Sequence, residues 1–147
     1  MNNLTVTTSS APVFLTDADN LGLGTINAGA NAVRIESLAG NLTNNTSAIT
    51  ASDLTLVANA SGKAIGVSGT PINTAVSGNL TASANSGAGG IYLSDTNGGG
   101  TLTISSIDAN TGNIELTSTD KIRDVVGVDT TTDIAGANLT IISAAQY

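Results

Sequence analysis

The chain has 147 residues, is 40 % hydrophobic and only 10 % charged, and eleven acidic against four basic residues leave a net charge of −7. With no Lys/Arg cluster to displace counterions from phosphate, and a charge that an anionic bilayer repels, we expect no nucleic-acid binding and no membrane insertion. With no His and no Cys, imidazole acid–base chemistry, thiol catalysis, disulfides and thiolate metal sites are ruled out, and we expect no enzyme.

Phe14, Tyr92 and Tyr147 are the only aromatics, so the apolar side chains are Ala, Val, Ile and Leu. Such residues fill thin, regular layers better than a wide globular centre. In chain order, strand signals stand at NLTVT (3–7), PVFLT (12–16), AVRIE (32–36), DLTLVA (53–58) and AIGVS (64–68). They continue at GIYLS (90–94), TLTIS (101–105), NIELTS (113–118) and NLTIIS (138–143). Each is short, rich in β-branched residues and bounded by Gly, Asn, Asp or Ser, which is the strand-and-turn pattern of an all-β chain. No stretch has helical periodicity. The opening MNNLTVTTSS has no basic region followed by an apolar one and does not read as a signal peptide.

Asn-Leu-Thr begins at Asn3, Asn41, Asn79 and Asn138, the first three evenly spaced by 38 residues. Longer stretches also match. Residues 3–20 resemble 79–98, 26–37 resemble 107–118, and 51–60 resemble 136–145. The 38-residue spacing predicts two turns of about 19 residues, each with a perimeter of about 60 Å at ~3.3 Å per extended residue. That suits a parallel β-solenoid (β-helix) of about seven to eight coils, some 35 Å long at ~4.8 Å per coil, spanning 1–147 as one domain. In this reading Asn turns the corner because it tolerates left-handed backbone, Leu points into the stack, and Thr faces water. A β-sandwich is the rival architecture, but sandwiches seldom repeat their own sequence.

Several groups could carry chemistry. DADNLG (17–22) and DTNGGG (95–100) place Asp17, Asp19, Asp95 and Asn97 as candidate calcium ligands, since alternating carboxylate and amide oxygens before a Gly turn suit a hard cation. The structural alternative is an Asx corner, in which Asp hydrogen-bonds its own backbone. Asp17 with Asp19, or Asp129 with Asp133, could only mimic a glycosidase carboxylate pair. Sequons at Asn3, Asn41, Asn44, Asn45, Asn59, Asn79 and Asn138 follow from an Asn/Thr-rich composition. Thr-x-Thr at Thr5/Thr7, Thr101/Thr103 and Thr130/Thr132 could mark an ice-binding face, but the motif does not recur on every coil. DKIRD (120–124) holds two of the four basic residues and reads as an ion-paired loop, or as a recognition loop.

The segments GNLTAS (78–83), GTLTISSIDANTGNIELTS (100–118) and GANLTIISA (136–144) resemble the repeat region of large bacterial exoproteins of the filamentous-haemagglutinin type, and of related autotransporter passengers. The resemblance covers nearly the whole chain as a repeat style. It implies a right-handed parallel β-helix, extracellular or on a bacterial cell surface. The NPNG and NPNL secretion motifs of that group are missing, so the expectation is a stalk segment of a longer, adhesin-type repeat protein. The implied partners are neighbouring repeats, or further copies stacked end to end as an extracellular filament, with a host or neighbouring-cell surface receptor as a further partner. A carbohydrate-binding or hydrolysing β-helix is the alternative from another class. No cofactor beyond calcium is expected.

Overall fold

The computed structural model describes residues 3–44, 47–85, 87–97, 100–125 and 131–144. The chain is an all-β parallel solenoid of about six turns, with no helix among the described residues. One sheet contains β1 (Asn3–Thr7), β3 (Leu21–Asn27), β5 (Leu42–Asn44), β6 (Ala48–Ala51), β8 (Ile72–Val76), β10 (Ile91–Asp95), β12 (Asn113–Ser118) and β15 (Asn138–Ser143). The second contains β2 (Val13–Asp17), β4 (Val33–Ser37), β7 (Leu54–Ala58), β9 (Asn79–Ala84), β11 (Thr101–Asp108), β13 (Lys121–Asp124) and β14 (Ile134–Ala135). Every strand pairing between turns is parallel, which decides against the sandwich. We call the two sheets A and B.

Alternation along each strand builds the core. In β4, Val33 and Ile35 are buried while Arg34 between them is exposed, the period of two that strand geometry imposes. Register then stacks like on like. In sheet A the inward column runs Leu21, Leu42, Ile65, Ile91, Ile114, Leu139. In sheet B, Leu15, Ile35, Leu56, Ala82, Ile107 and Ile134 form the equivalent column. No tryptophan-sized gap is needed, in keeping with the aliphatic composition.

Turn length explains why the coil number is about six and not seven to eight. From Leu4 to its partner Leu23 is 19 residues, but from Leu54 to Leu80 is 26 and from Ile107 to Ile134 is 27. The extra residues sit in connections, such as 59–71, where a two-residue reversal closes on reciprocal bonds between Val67 and Thr70. Six turns at ~4.8 Å make a stack about 30 Å long.

The repeat unit also differs from the expectation. Asn3 and Asn41 lead into sheet A, whereas Asn79 leads into sheet B. The same 38 residues therefore span about two turns in one case and about one and a half in the other. All three longer matches swap sheets in the same way: β2 answers to β10, β4 to β12, and β7 to β15. The longer matches recur after a half-integral number of turns and Asn3 to Asn41 after a whole number, so the half-turn is the unit and the two sheets are interchangeable copies of it.

Corners are held by side chains that bond from turn to turn. The Asn41 N–H donates to Asn20 Oδ1, the Ala64 N–H to Asn41 Oδ1, and the Asn79 N–H to Asp53 Oδ1, each at 2.8 Å. Asn138 Nδ2 donates to Asn113 Oδ1 at 2.8 Å. Left-handed backbone is not the reason for these asparagines, because Asn110 is the positive-φ non-glycine among the described residues. One corner is closed by close approach instead. A Cβ at Gly112 would collide with the Gly89 carbonyl, and one at Gly89 with that of Lys63.

Two neighbours test the alternation directly. Leu56→Ala, which empties a fully buried position of the sheet B column, is expected to lower stability by about 2–5 kcal/mol. Thr55→Ala, one residue earlier on the outward face, should change it by about 0.5 kcal/mol or less. Chemical denaturation of both variants measures the difference, and equal losses would contradict the inward assignment of Leu56.

Candidate functional site

The two calcium candidates occupy the same place in the half-turn, at the end of a strand, but on opposite sheets. Asp17 ends β2 in sheet B and Asp95 ends β10 in sheet A, separated along the stack by several turns. They therefore cannot share one ion. Asp17 Oδ1 accepts the Asp19 N–H at 2.8 Å, and Asp95 Oδ2 accepts the Asn97 N–H at 3.4 Å. Both are Asx turns that reverse the chain. In the next turn a serine stands over each aspartate: Ser37 over Asp17, and Ser118 over Asp95. Ser37 Oγ accepts from the Gly40 N–H at 2.9 Å and donates to the Asp19 carbonyl at 2.5 Å. Ser118 Oγ accepts from the Asp120 N–H at 3.1 Å.

Position in the stack separates the two. Asp17 lies in the first turn, partly exposed, with Asp19 exposed. Asp95 has a turn below it and one above, and is completely buried. Its Oδ1 accepts from Thr74 Oγ1 at 2.9 Å and from the Val76 N–H at 3.0 Å. Burial pushes the Asp95 carboxyl above its ordinary pKa; the bonds from Val76, Thr74 and Asn97 pull the other way, and the Asp120 charge adds to the rise. Among the described residues, no group of three or more acidic side chains is arranged to hold a metal ion. Gly98 and Gly99 of the second candidate lie outside the described residues.

Asp95 belongs to a polar column that sequence reasoning missed. Reading upward, one inward position of sheet A runs Val6, Ile26, Ile49, Thr74, Asp95, Ser118, Ser143. Three aliphatic residues give way to four polar ones. The similarity of SDTNG (94–98) to TDADN (16–20) hid this, because the two aspartates differ in what lies beneath them in the stack.

The remaining candidates fall out as follows. Asp17 and Asp19 form one turn and do not face each other across a cleft, and Asp129 lies outside the described residues. Thr5 and Thr7 stand on sheet A, Thr101 and Thr103 on sheet B with Thr103 buried, so they do not make one face; Thr130 lies outside the described residues. DKIRD is not a loop: Lys121–Asp124 is a strand stacked on β11, and Arg123 Nε donates to Thr103 Oγ1 at 3.3 Å. Beside it is a cavity of about 410 Å³ whose lining combines Ile104, Ile122 and Ile134 with Arg123, Asp124 and Asp133. Two further sequon side chains are engaged in structure: Asn59 Nδ2 bonds Glu36 while its Oδ1 accepts from Asn85 Nδ2 at 2.5 Å, and Asn44 Nδ2 donates to Pro71 O at 2.9 Å. Asn45 lies outside the described residues.

Asp95→Ala strands the Thr74 hydroxyl and the Val76 N–H in a dry interior, so it is expected to cost about 1–3 kcal/mol or more. Asp17→Ala, removing one solvated Asx bond, should cost about 1 kcal/mol or less. Denaturant unfolding reads both, and an equal loss would show that burial does not distinguish the two corners. No protein-family model, no curated protein and no solved structure matches this chain.

Proposed function

We propose that the chain is a structural stalk segment of a secreted or cell-surface bacterial protein, with no catalytic role. The observation that carries this reading is the stack itself. Each turn contacts the one below and the one above, and the outward positions of strands such as β1, β9 and β12 are mainly Asn, Thr and Ser, a surface sparing in charge and suited to spacing and display. The resemblance to adhesin-type repeats points the same way, resting on an Asn/Gly/Thr-rich, cysteine-free and weakly charged composition. Calcium at Asp17/Asp19 or Asp95/Asn97 remains an accessory proposal. It is tested by calorimetry with added calcium, where neither heat nor a rise in melting temperature would remove it.

A second reading, a subunit that stacks end to end into a filament, is favoured by one feature. Leu139 and Ile141 continue the inward columns into β15, yet are 51 % and 44 % exposed, and Ile142 is 56 % exposed. Among the described residues β15, like β1, pairs on one side only, and such an edge is a template for another strand. The occupant would be a further turn, supplied by a longer chain or by another copy.

Immunolabelling of unpermeabilised source cells tests the first reading: surface labelling is expected, and label confined to the interior would contradict it. Electron microscopy of the purified chain separates the second. Dispersed particles about 30 Å long support a stalk segment. Fibres that vanish in the double variant Leu139→Lys, Ile141→Lys support stacking, and fibres that survive it would exclude β15 as the joining edge.

A further inference from the structure

The two sheets hold different numbers of rungs. Among the described residues sheet A has eight strands, of which β5 and β6 share one rung on β3, and sheet B has seven, of which β13 and β14 share one rung on β11. That leaves seven rungs in A and six in B. Rungs alternate between the sheets along the chain, so β1 to β15 makes thirteen half-turns, an odd number. The next place in the coil after β15 is therefore in sheet B, above β13 and β14. Among the described residues those two strands pair only with β11. Their Ile122 and Ile134 are partly buried and line the cavity, while Leu139 and Ile141 on β15 are exposed.

The opposite face has matching chemistry: Leu4 and Val6 of β1 and Leu15 of β2 are only partly buried. A second copy set on the first without rotation puts β1 on β15, sheet A on sheet A. Its β2 then stands two rungs above β13 and β14, so one place is empty and Ile122 and Ile134 stay wet, at a hydrophobic cost. Turned by 180° about the stack axis, the second copy puts β1 on β13 and β14, and β2 on β15. No place is then empty. The chain already contains this crossing. Residues 3–20 resemble 79–98, yet β1 and β2 run from sheet A to sheet B while β9 and β10 run from B to A. Register carries over with the resemblance. Val13 and Leu15 answer to Ile91 and Leu93, whose columns end at Leu139 and Ile141. Val6 answers to Ala82, whose column ends at Ile134. Leu4 answers to Leu80 and meets Asp124, which is exposed at the end of β13 and costs the joint some affinity.

We propose, resting on the filament reading, that copies of this chain join end to end with sheets exchanged: β1 of the upper copy lies on β13 and β14 of the lower, and β2 on β15. The partner is a second copy because its first two strands continue the columns in the register that the chain uses internally. Sheet A of one copy runs on as sheet B of the next, and the rise per copy is about 31 Å at ~4.8 Å per turn.

Disulfide cross-linking of the intact chain reads the joint without background, because the sequence has no Cys. With sheets exchanged, Phe14 of the upper copy lies over Thr140 of the lower, since Phe14 answers to Tyr92 and the outward row runs Tyr92, Glu115, Thr140. Without rotation Asn3 lies over Thr140, since Asn3 pairs with Gly22 in that same row. Neighbouring rungs are ~4.8 Å apart, within the reach of a disulfide. All three residues are exposed, so their replacement leaves the core intact. On oxidation, Phe14→Cys with Thr140→Cys is expected to give a ladder of linked multimers, lost when Leu139→Lys and Ile141→Lys are added. Asn3→Cys with Thr140→Cys is expected to stay monomeric. A ladder from the second pair, or fibres with a ladder from neither, overturns the exchanged joint and leaves the filament reading standing. Dispersed particles with no ladder remove both.

Discussion

Parallel stacking in register means that whatever one turn presents, the next presents about 4.8 Å above it, and most of the molecule follows from that. An inward Leu rests on an inward Leu or Ile, so Leu42, Ile65, Ile91 and Ile114 grow into a column without any one residue having to fill a large void. On the outside the same constraint works against charge, because like charges directly opposite each other repel. Thr, Ser and Asn escape this, since a hydroxyl or amide can donate to the copy above and accept from the copy below. The 10 % charged content is thus a consequence of geometry, and the Asn85–Asn59 and Asn138–Asn113 bonds show the neutral solution at work.

The same rule makes an interior polar residue consequential. Placed at an end, Asp17 is a solvated turn; placed between turns, Asp95 must be satisfied from below, by Thr74 and Val76, and covered from above by Ser118. Its neighbours in the column are polar for that reason. A hydrogen-bonded column is less forgiving than an aliphatic one, because a lost partner leaves a buried group unpaired. Its compensation is direction, since the Asp95 bonds fix which turn sits on which, where sliding aliphatic side chains would not.

Much of the fold was legible because strand alternation is local. The pattern Val33-Arg34-Ile35 declares its two faces in three residues, and the recurrence of Asn-Leu-Thr announces stacking. Turn length was not legible, because Leu54 and Leu80 are equivalent across 26 residues while Val33 and Leu54 are equivalent across 21. Connections such as 59–71 vary freely provided the strands return to register. Nor could the sequence distinguish a repeat that returns to its own sheet from one that lands on the other, as Asn41 and Asn79 do. The candidate calcium residues were recognisable as corners, Asp17 and Asp95 alike. The burial of Asp95 was hidden, because it depends on residues about twenty positions away in each direction.

A stalk reading requires only what this stacking provides: turns that add one upon another, a hydroxyl- and amide-rich outer surface with few charges, and edges that accept another strand. Whether the turns are joined as described is tested most directly by methyl–methyl NOEs in selectively labelled protein. Cross-peaks linking Leu42 to Ile65, Ile65 to Ile91 and Ile91 to Ile114, without a Leu42–Ile114 contact, are the expected ladder. A direct Leu42–Ile114 contact, or NOEs that pair these strands antiparallel, would contradict it.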